Sequence, residues 1–131
     1  MRGLDTNVLV RFLVQDDPKQ AARATAVIES ALSSGETLFL NHIVLCETVW
    51  VLESAYEISK ADVADVLDRL MLTPQVSFED KEEARTALSE YRVGKGDFAD
   101  YLIGEVNSRS GCLETVTFDR DLGGSTRFKL F

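Results

Sequence analysis

Residues 37–56, "TLFLNHIVLCETVWVLESAY", begin with a short β-rich apolar run and continue directly into a helical pattern. "TLFL" has the composition of a buried strand, and Asn41 is a favourable N-cap residue in front of the apolar positions that follow. This stretch predicts a strand that ends where a helix begins. It therefore indicates a fold in which strands and helices alternate.

The same alternation extends in both directions along the chain. Strands are predicted at 2–5, 37–40, 75–78, 113–118 and 127–131, and helices at 6–14, 17–35, 41–56, 59–72, 79–93 and 97–111. Asp17 and Ser59 stand at capping positions, and Pro18 occupies the first helical position after Asp17. Alternation of this kind is typical of an α/β sandwich around a mainly parallel central sheet, here of about five short strands.

Length and composition limit the classes of protein to which the chain can belong. The 131 residues, 45% of them hydrophobic, predict a single domain spanning 1–131 with a substantial core. No apolar run reaches the ~18 residues of a membrane span, and "MRGLDTNVLV" does not resemble a signal peptide, so we expect no membrane association and a cytoplasmic protein. Two separated cysteines and one histidine, His42, argue against a zinc site.

The net charge of −8 and the pI near 4.6 have the wrong sign for binding nucleic acid through bulk electrostatics. A nucleic-acid role would need a local device. A bound divalent cation is one such device, because it reverses the local charge of an acidic cluster and can receive a phosphate group.

Glu47 stands in the middle of an apolar helix. At helical spacing the apolar side chains form two rows that leave a narrow strip for Glu47 and Thr48. The rows are Leu45, Val49 and Leu52, and Ile43, Cys46 and Trp50. A carboxylate removed from water is neutralised, paired or bound to a cation. The strip therefore favours a partner for Glu47, although the solvent-facing side of an amphipathic helix is the alternative.

Further carboxylates stand where the predicted strands end or where the next helices begin. Asp5 ends the first strand, Asp119 follows "LETVTF", and Asp97 and Asp100 open the last helix. Ligands of parallel sheets bind beyond the carboxyl ends of the strands. Each acid also has a structural interpretation, as an N-cap, a capping box or a turn residue. Together they indicate an oxygen-only site for Mg²⁺ or Mn²⁺, because like charges converge at low cost only around a cation.

Four ordered sequence blocks resemble the PIN-domain family, and within it most closely the VapC-type toxins. The blocks are "LDTNVLVRFLVQDDP", "VLCETVWVL", "DFADYLI" and "TFDRDL". The resemblance implies a PIN-like α/β/α sandwich and a metal-dependent endoribonuclease that acts as the toxin of a type II toxin–antitoxin pair. It also implies a homodimer, an RNA substrate and a cognate VapB-type antitoxin as inhibitor.

The resemblance also implies a role for each acid. Asp5, Glu47, Asp100 and Asp119 match the four family acids, which would bind Mg²⁺ or Mn²⁺ and form the catalytic centre. Asp97 and Asp121 are further candidate ligands beside the third and fourth acids. Thr6, Asn7 and Thr117 fall on the family's polar positions, where Asn7 and Thr117 would hydrogen-bond the carboxylates. The candidate phosphate contacts, chosen because they flank the acidic blocks, are Arg11, Arg23 and Lys95.

Three other interpretations were weighed against a nuclease. A haloacid-dehalogenase-like phosphatase has a second aspartate two residues after the first, where this chain has Asn7. A receiver-type signalling module requires adjacent acids after the first strand and a lysine after the fifth, whereas "DTN" supplies one acid and Asp119 is followed by Arg120. A non-catalytic PIN-like interaction module would not need four acids. We expect the antitoxin to cover those acids with a basic C-terminal segment.

Overall fold

The computed structural model describes all residues from Met1 to Phe131. They form two compact units, Met1–Asp80 and Lys81–Phe131. No helix combines the length and the apolar character that crossing a bilayer requires.

The first unit contains three strands and four helices. In chain order they are β1 (Arg2–Gly3), α1 (Thr6–Val14), α2 (Pro18–Ser33), β2 (Leu38–Leu40), α3 (His42–Ser54), α4 (Lys60–Met71) and β3 (Val76–Phe78). The strands pair in parallel in the order β1-β2-β3, with Leu38 opposite both Arg2 and Val76. Neighbouring parallel strands run in the same direction, so the chain must cross back between them, and here it does so through helices.

The second unit contains two helices and two strands. They are α5 (Lys81–Val93), α6 (Phe98–Arg109), β4 (Thr115–Thr117) and β5 (Phe128–Leu130), with a 3₁₀ turn at Arg120–Leu122. β4 and β5 also pair in parallel. Tyr91 of α5 and Phe98 of α6 are fully buried and meet edge to face, with ring centroids 6.0 Å apart.

Side-chain caps fix several helix starts. The Asp17 carboxylate accepts hydrogen bonds from the Lys19 and Gln20 amides, both at 3.1 Å. Asn41 and Ser59 cap α3 and α4 in the same way. Each cap satisfies amides that have no partner inside their helix, which is why these helices begin where the sequence predicted.

The predicted α/β class is confirmed, with five short strands, all paired in parallel. The strands differ from the prediction in forming two sheets, one in each unit, in place of one central sheet. Pairing of strand edges depends on residues far apart in sequence, and alternation of elements does not specify it. The single domain over 1–131 stays a prediction.

Candidate active site

Asp5 stands at the junction of β1 and α1. Leu4 before it is buried, and the Leu4 amide donates to the Phe39 carbonyl at 3.1 Å, which ties the end of the strand to its neighbour. Asp5 is the N-cap residue of α1, with extended backbone, but its side chain makes no capping hydrogen bond. Its carboxylate is exposed to solvent. The carboxylate is therefore available to a ligand.

Thr6 connects this junction to Glu47. The Thr6 hydroxyl, in a residue only 8% exposed, donates to Glu47 Oε1 at 2.7 Å. The bond joins the first residue of α1 to the middle of α3 across 41 positions of sequence. A charge-assisted bond of this length fixes the glutamate's orientation and leaves Oε2 free. Glu47 is thereby held beside the end of α1 that Asp5 precedes.

The predicted surroundings of Glu47 require a correction. The row of Leu45, Val49 and Leu52 is buried, but Ile43 and Trp50 are 70% and 68% exposed. Glu47 is itself exposed, so burial does not explain its presence. Helical spacing alone did not show that the row of Ile43 and Trp50 faces solvent, because apolar residues also occur on exposed surfaces. The polar residue buried in this helix is Thr48, whose hydroxyl has no hydrogen-bond partner.

Asp97 and Asp100 form a capping box at the start of α6. The Asp97 amide donates to Asp100 Oδ2 at 3.1 Å. Burial raises the pKa of Asp100 above its ordinary value, and the Asp97 and Asp119 carboxylates raise it further, against the opposing effect of the Asp97 amide. Asp100 is thus a carboxylate whose negative charge would be stabilised by a cation.

Asp119 follows β4 and caps the 3₁₀ turn. Its Oδ1 accepts from the Asp121 amide at 2.9 Å, and its own amide donates to Thr117 Oγ1 at 3.0 Å. Thr117 therefore positions the backbone of Asp119, in place of the predicted bond to a carboxylate. Asp121 is exposed.

The four acids retain free oxygens in a set that suits a hard cation. Asp5 uses neither carboxylate oxygen, and Glu47, Asp100 and Asp119 each use one in the bonds described above. Mg²⁺ and Mn²⁺ prefer carboxylate oxygens, so the chemistry of each of these side chains suits the predicted ion. Neither unit on its own groups three or more acidic, histidine or cysteine side chains as a metal site. The metal set stays a prediction.

The predicted phosphate contacts lie in two cavities. Arg11 and Arg23 line a cavity of about 390 Å³ between α1 and α2, together with Asn7. The Asn7 side chain lines this cavity and does not make the predicted hydrogen bond to a carboxylate. Lys95 lines a cavity of about 520 Å³ in the second unit, together with Arg120 and Asp121.

Sequence reasoning missed the residues that hold Arg11. Arg11 Nη1 donates to Asp16 Oδ1 at 3.1 Å and to the Tyr56 hydroxyl at 3.0 Å. The Tyr56 hydroxyl donates in turn to Asp16 Oδ2 at 2.9 Å. The Tyr56 hydrogen bond, helped by the Arg11 guanidinium, lowers the pKa of Asp16. The partner Tyr56 is 45 positions from Arg11, so no local pattern could have indicated it.

Comparison with known proteins agrees with the sequence blocks. A family model described as the PIN domain matches residues 4–123, a span that contains Asp5, Glu47, Asp100 and Asp119. A curated VapC ribonuclease of Aquifex aeolicus (strain VF5) is 30% identical over 120 residues, which cover 92% of this chain and 88% of that protein. No solved structure matches the chain.

Proposed function

The chain belongs to the PIN-domain family, and on that premise we propose that it is a VapC-type toxin: an endoribonuclease that hydrolyses single-stranded RNA with Mg²⁺ or Mn²⁺. The observation that carries the proposal is the state of the two carboxylates near the start of α1, Asp5 and the Glu47 that Thr6 binds. The Asp5 carboxylate is exposed and does not cap the helix. The Glu47 carboxylate is oriented by the buried Thr6. A purely structural N-cap would use its carboxylate on the helix.

In this proposal Asp5, Glu47, Asp100 and Asp119 hold the divalent ion. When bound, such an ion activates water as a nucleophile at neutral pH and stabilises charge on the phosphoryl oxygens. Thr6 keeps Glu47 in a single orientation, and the amides of Asp97 and Asp121 do the same for Asp100 and Asp119. We leave Asp97 and Asp121 as further candidate ligands.

RNA cleavage with and without metal tests the proposal. Purified protein should bind Mn²⁺ or Mg²⁺ in calorimetry and cut single-stranded RNA only when the ion is present. Asp5→Asn and Asp119→Asn should lose cleavage. Asp62→Asn is a matched control, because Asp62 is exposed on α4 and its carboxylate bonds nothing. Undiminished cleavage in EDTA, or no metal binding at millimolar concentration, would contradict the proposal.

We further propose that the inhibitor is a VapB-type antitoxin whose basic C-terminal segment binds the four acids. The support is electrostatic: the chain carries a net charge of −8, and Asp5, Glu47 and Asp119 are exposed. Charge complementarity of this kind raises association rates, and added salt screens it. Association should slow steeply with ionic strength and with alanine at the partner's basic positions. Salt-independent association, together with inhibition that survives alanine replacement of the tail's basic residues, would refute the proposal.

The phosphatase and receiver alternatives gain no support from these observations. The residue two positions after Asp5 is Asn7, which cannot act as the general acid that the phosphatase needs. The non-catalytic interaction module remains a distinct outcome of the cleavage test. It would bind its partner but cut no RNA with either metal.

A further inference from the structure

The cavity between α1 and α2 is lined by two of the chain's arginines and by no carboxylate. Its lining includes Arg11, Arg23, Asn7 and Gln20, above valine and alanine side chains. In a protein of net charge −8, such a lining selects an anion. Its volume of about 390 Å³ lies within the range of roughly 300–1,000 Å³ for small-ligand sites.

The two arginines are prepared differently for a ligand. Arg11 is only partly exposed, and both its hydrogen bonds, to Asp16 and Tyr56, use Nη1. Nη2 and Nε therefore keep their donors, in a guanidinium whose orientation is already fixed. Arg23 is exposed and makes no hydrogen bond or ion pair with the protein. A fixed arginine and a free arginine on facing helices can bind one phosphate from two sides.

The cavity adjoins the proposed catalytic acids along α1. Asn7 follows Thr6, which holds Glu47, and Arg11 lies six residues from Asp5, a rise of about 9 Å along the helix. The amides of Asn7 and Gln20 offer both donors and acceptors to a base edge, and the apolar side chains offer a surface for the base itself.

From these observations we propose that the α1–α2 cavity binds a nucleotide of the RNA substrate that flanks the cleaved bond. Arg11 and Arg23 bind its phosphate, and Tyr56 and Asp16 act as positioning residues for Arg11. This inference rests on the proposed ribonuclease function, and it adds a binding subsite outside the carboxylates.

The first test compares two arginine variants for RNA binding. The probe is a fluorescently labelled single-stranded RNA of mixed sequence, bound to the full chain carrying Glu47→Gln to prevent cleavage. Arg23→Gln should weaken binding at least fivefold and reduce the slope of log affinity against log salt by about 0.7, the value for one phosphate contact on a single strand. Arg85→Gln is the matched control, because Arg85 is exposed on α5, outside the cavity. Equal losses and slopes for the two variants would overturn the proposal.

The second test concerns the positioning role. Tyr56→Phe should weaken RNA binding when Arg11 is present and have no effect on binding in an Arg11→Gln background, whereas a merely structural role would weaken it in both. The same arginine and tyrosine variants are also tested for antitoxin binding. If they lose antitoxin binding while RNA binding is unchanged, the proposal is overturned, since the cavity would then bind a protein.

The experiments can refute the nucleotide subsite and the ribonuclease function independently of each other. If the unsubstituted protein cuts RNA but Arg23→Gln behaves like Arg85→Gln, this subsite is refuted and the ribonuclease function stands. If no cleavage is found with either metal and the Arg23→Gln effect on binding remains, the ribonuclease function is refuted and the cavity is still a nucleotide site.

Discussion

Two threonine-to-valine substitutions should change stability in opposite directions. Thr6→Val removes the 2.7 Å bond to Glu47 but leaves no buried polar atom behind, and the exposed carboxylate regains water. Bonds to charged groups contribute about 1.5–3 kcal/mol when well shielded. With Glu47 exposed, we expect a loss near the lower limit or below it, about 1 kcal/mol.

Thr48→Val should stabilise the protein. Thr48 is completely buried, and its hydroxyl has no hydrogen-bond partner. An unsatisfied buried hydroxyl costs about 1–3 kcal/mol, and valine has nearly the same shape and helix propensity. We expect a gain of about 1 kcal/mol, so that the two variants differ by about 2 kcal/mol.

Urea unfolding followed by circular dichroism in EDTA measures both stability changes. Metal titration of the same variants then distinguishes an effect on the proposed metal site from an effect on stability alone. Thr6→Val should weaken Mn²⁺ binding about 10- to 100-fold, as loss of a ligand-orienting hydrogen bond does, while Thr48→Val should leave it unchanged. The reasoning fails if both variants shift stability in the same direction, or if metal affinity does not distinguish them.

Four further substitutions test other parts of the chain. Glu47→Gln should abolish cleavage without destabilising the metal-free protein, and a fall of more than ~2 kcal/mol in urea unfolding would instead indicate a structural role. Trp50→Glu should convert the homodimer that the family resemblance implies into a monomer in light scattering, because Trp50 is exposed on α3; an unchanged mass would exclude this surface. Glu105→Gln should cost about 3 kcal/mol, since Glu105 is buried between Arg109 at 3.1 Å and Arg127 at 2.8 Å. Glu90→Gln should cost far less, because burial raises the Glu90 pKa despite the nearby Arg127, which means that folding disfavours its ionised form relative to water; the two variants must therefore differ in thermal unfolding for this argument to hold.

Local signals predicted the helix boundaries well. The caps made by Asp17, Asn41 and Ser59 are contained in the few residues around each helix start, so the sequence specifies them directly. The α/β class follows from the same alternation of local elements. None of these inferences required contacts between distant residues.

The site required contacts that no local pattern encodes. The bond from Thr6 to Glu47 and the fixing of Arg11 by Tyr56 each cross more than 40 positions. Helical periodicity placed Trp50 in a buried row, yet hydrophobicity alone does not decide which apolar row faces the core. The sequence could therefore name the acids as candidates, which stay a prediction, but it could not indicate their surroundings.

The missing cap on α1 implies a trade-off between stability and activity. The other three helices of the first unit begin with a side-chain cap, which contributes about 1 kcal/mol each, whereas Asp5 leaves the first amides of its helix without one. Selection for thermal stability alone should therefore favour serine or asparagine at position 5, turned onto the helix. Without that cap α1 depends on its packing, and a capped start to the helix would remove one carboxylate from the proposed metal site.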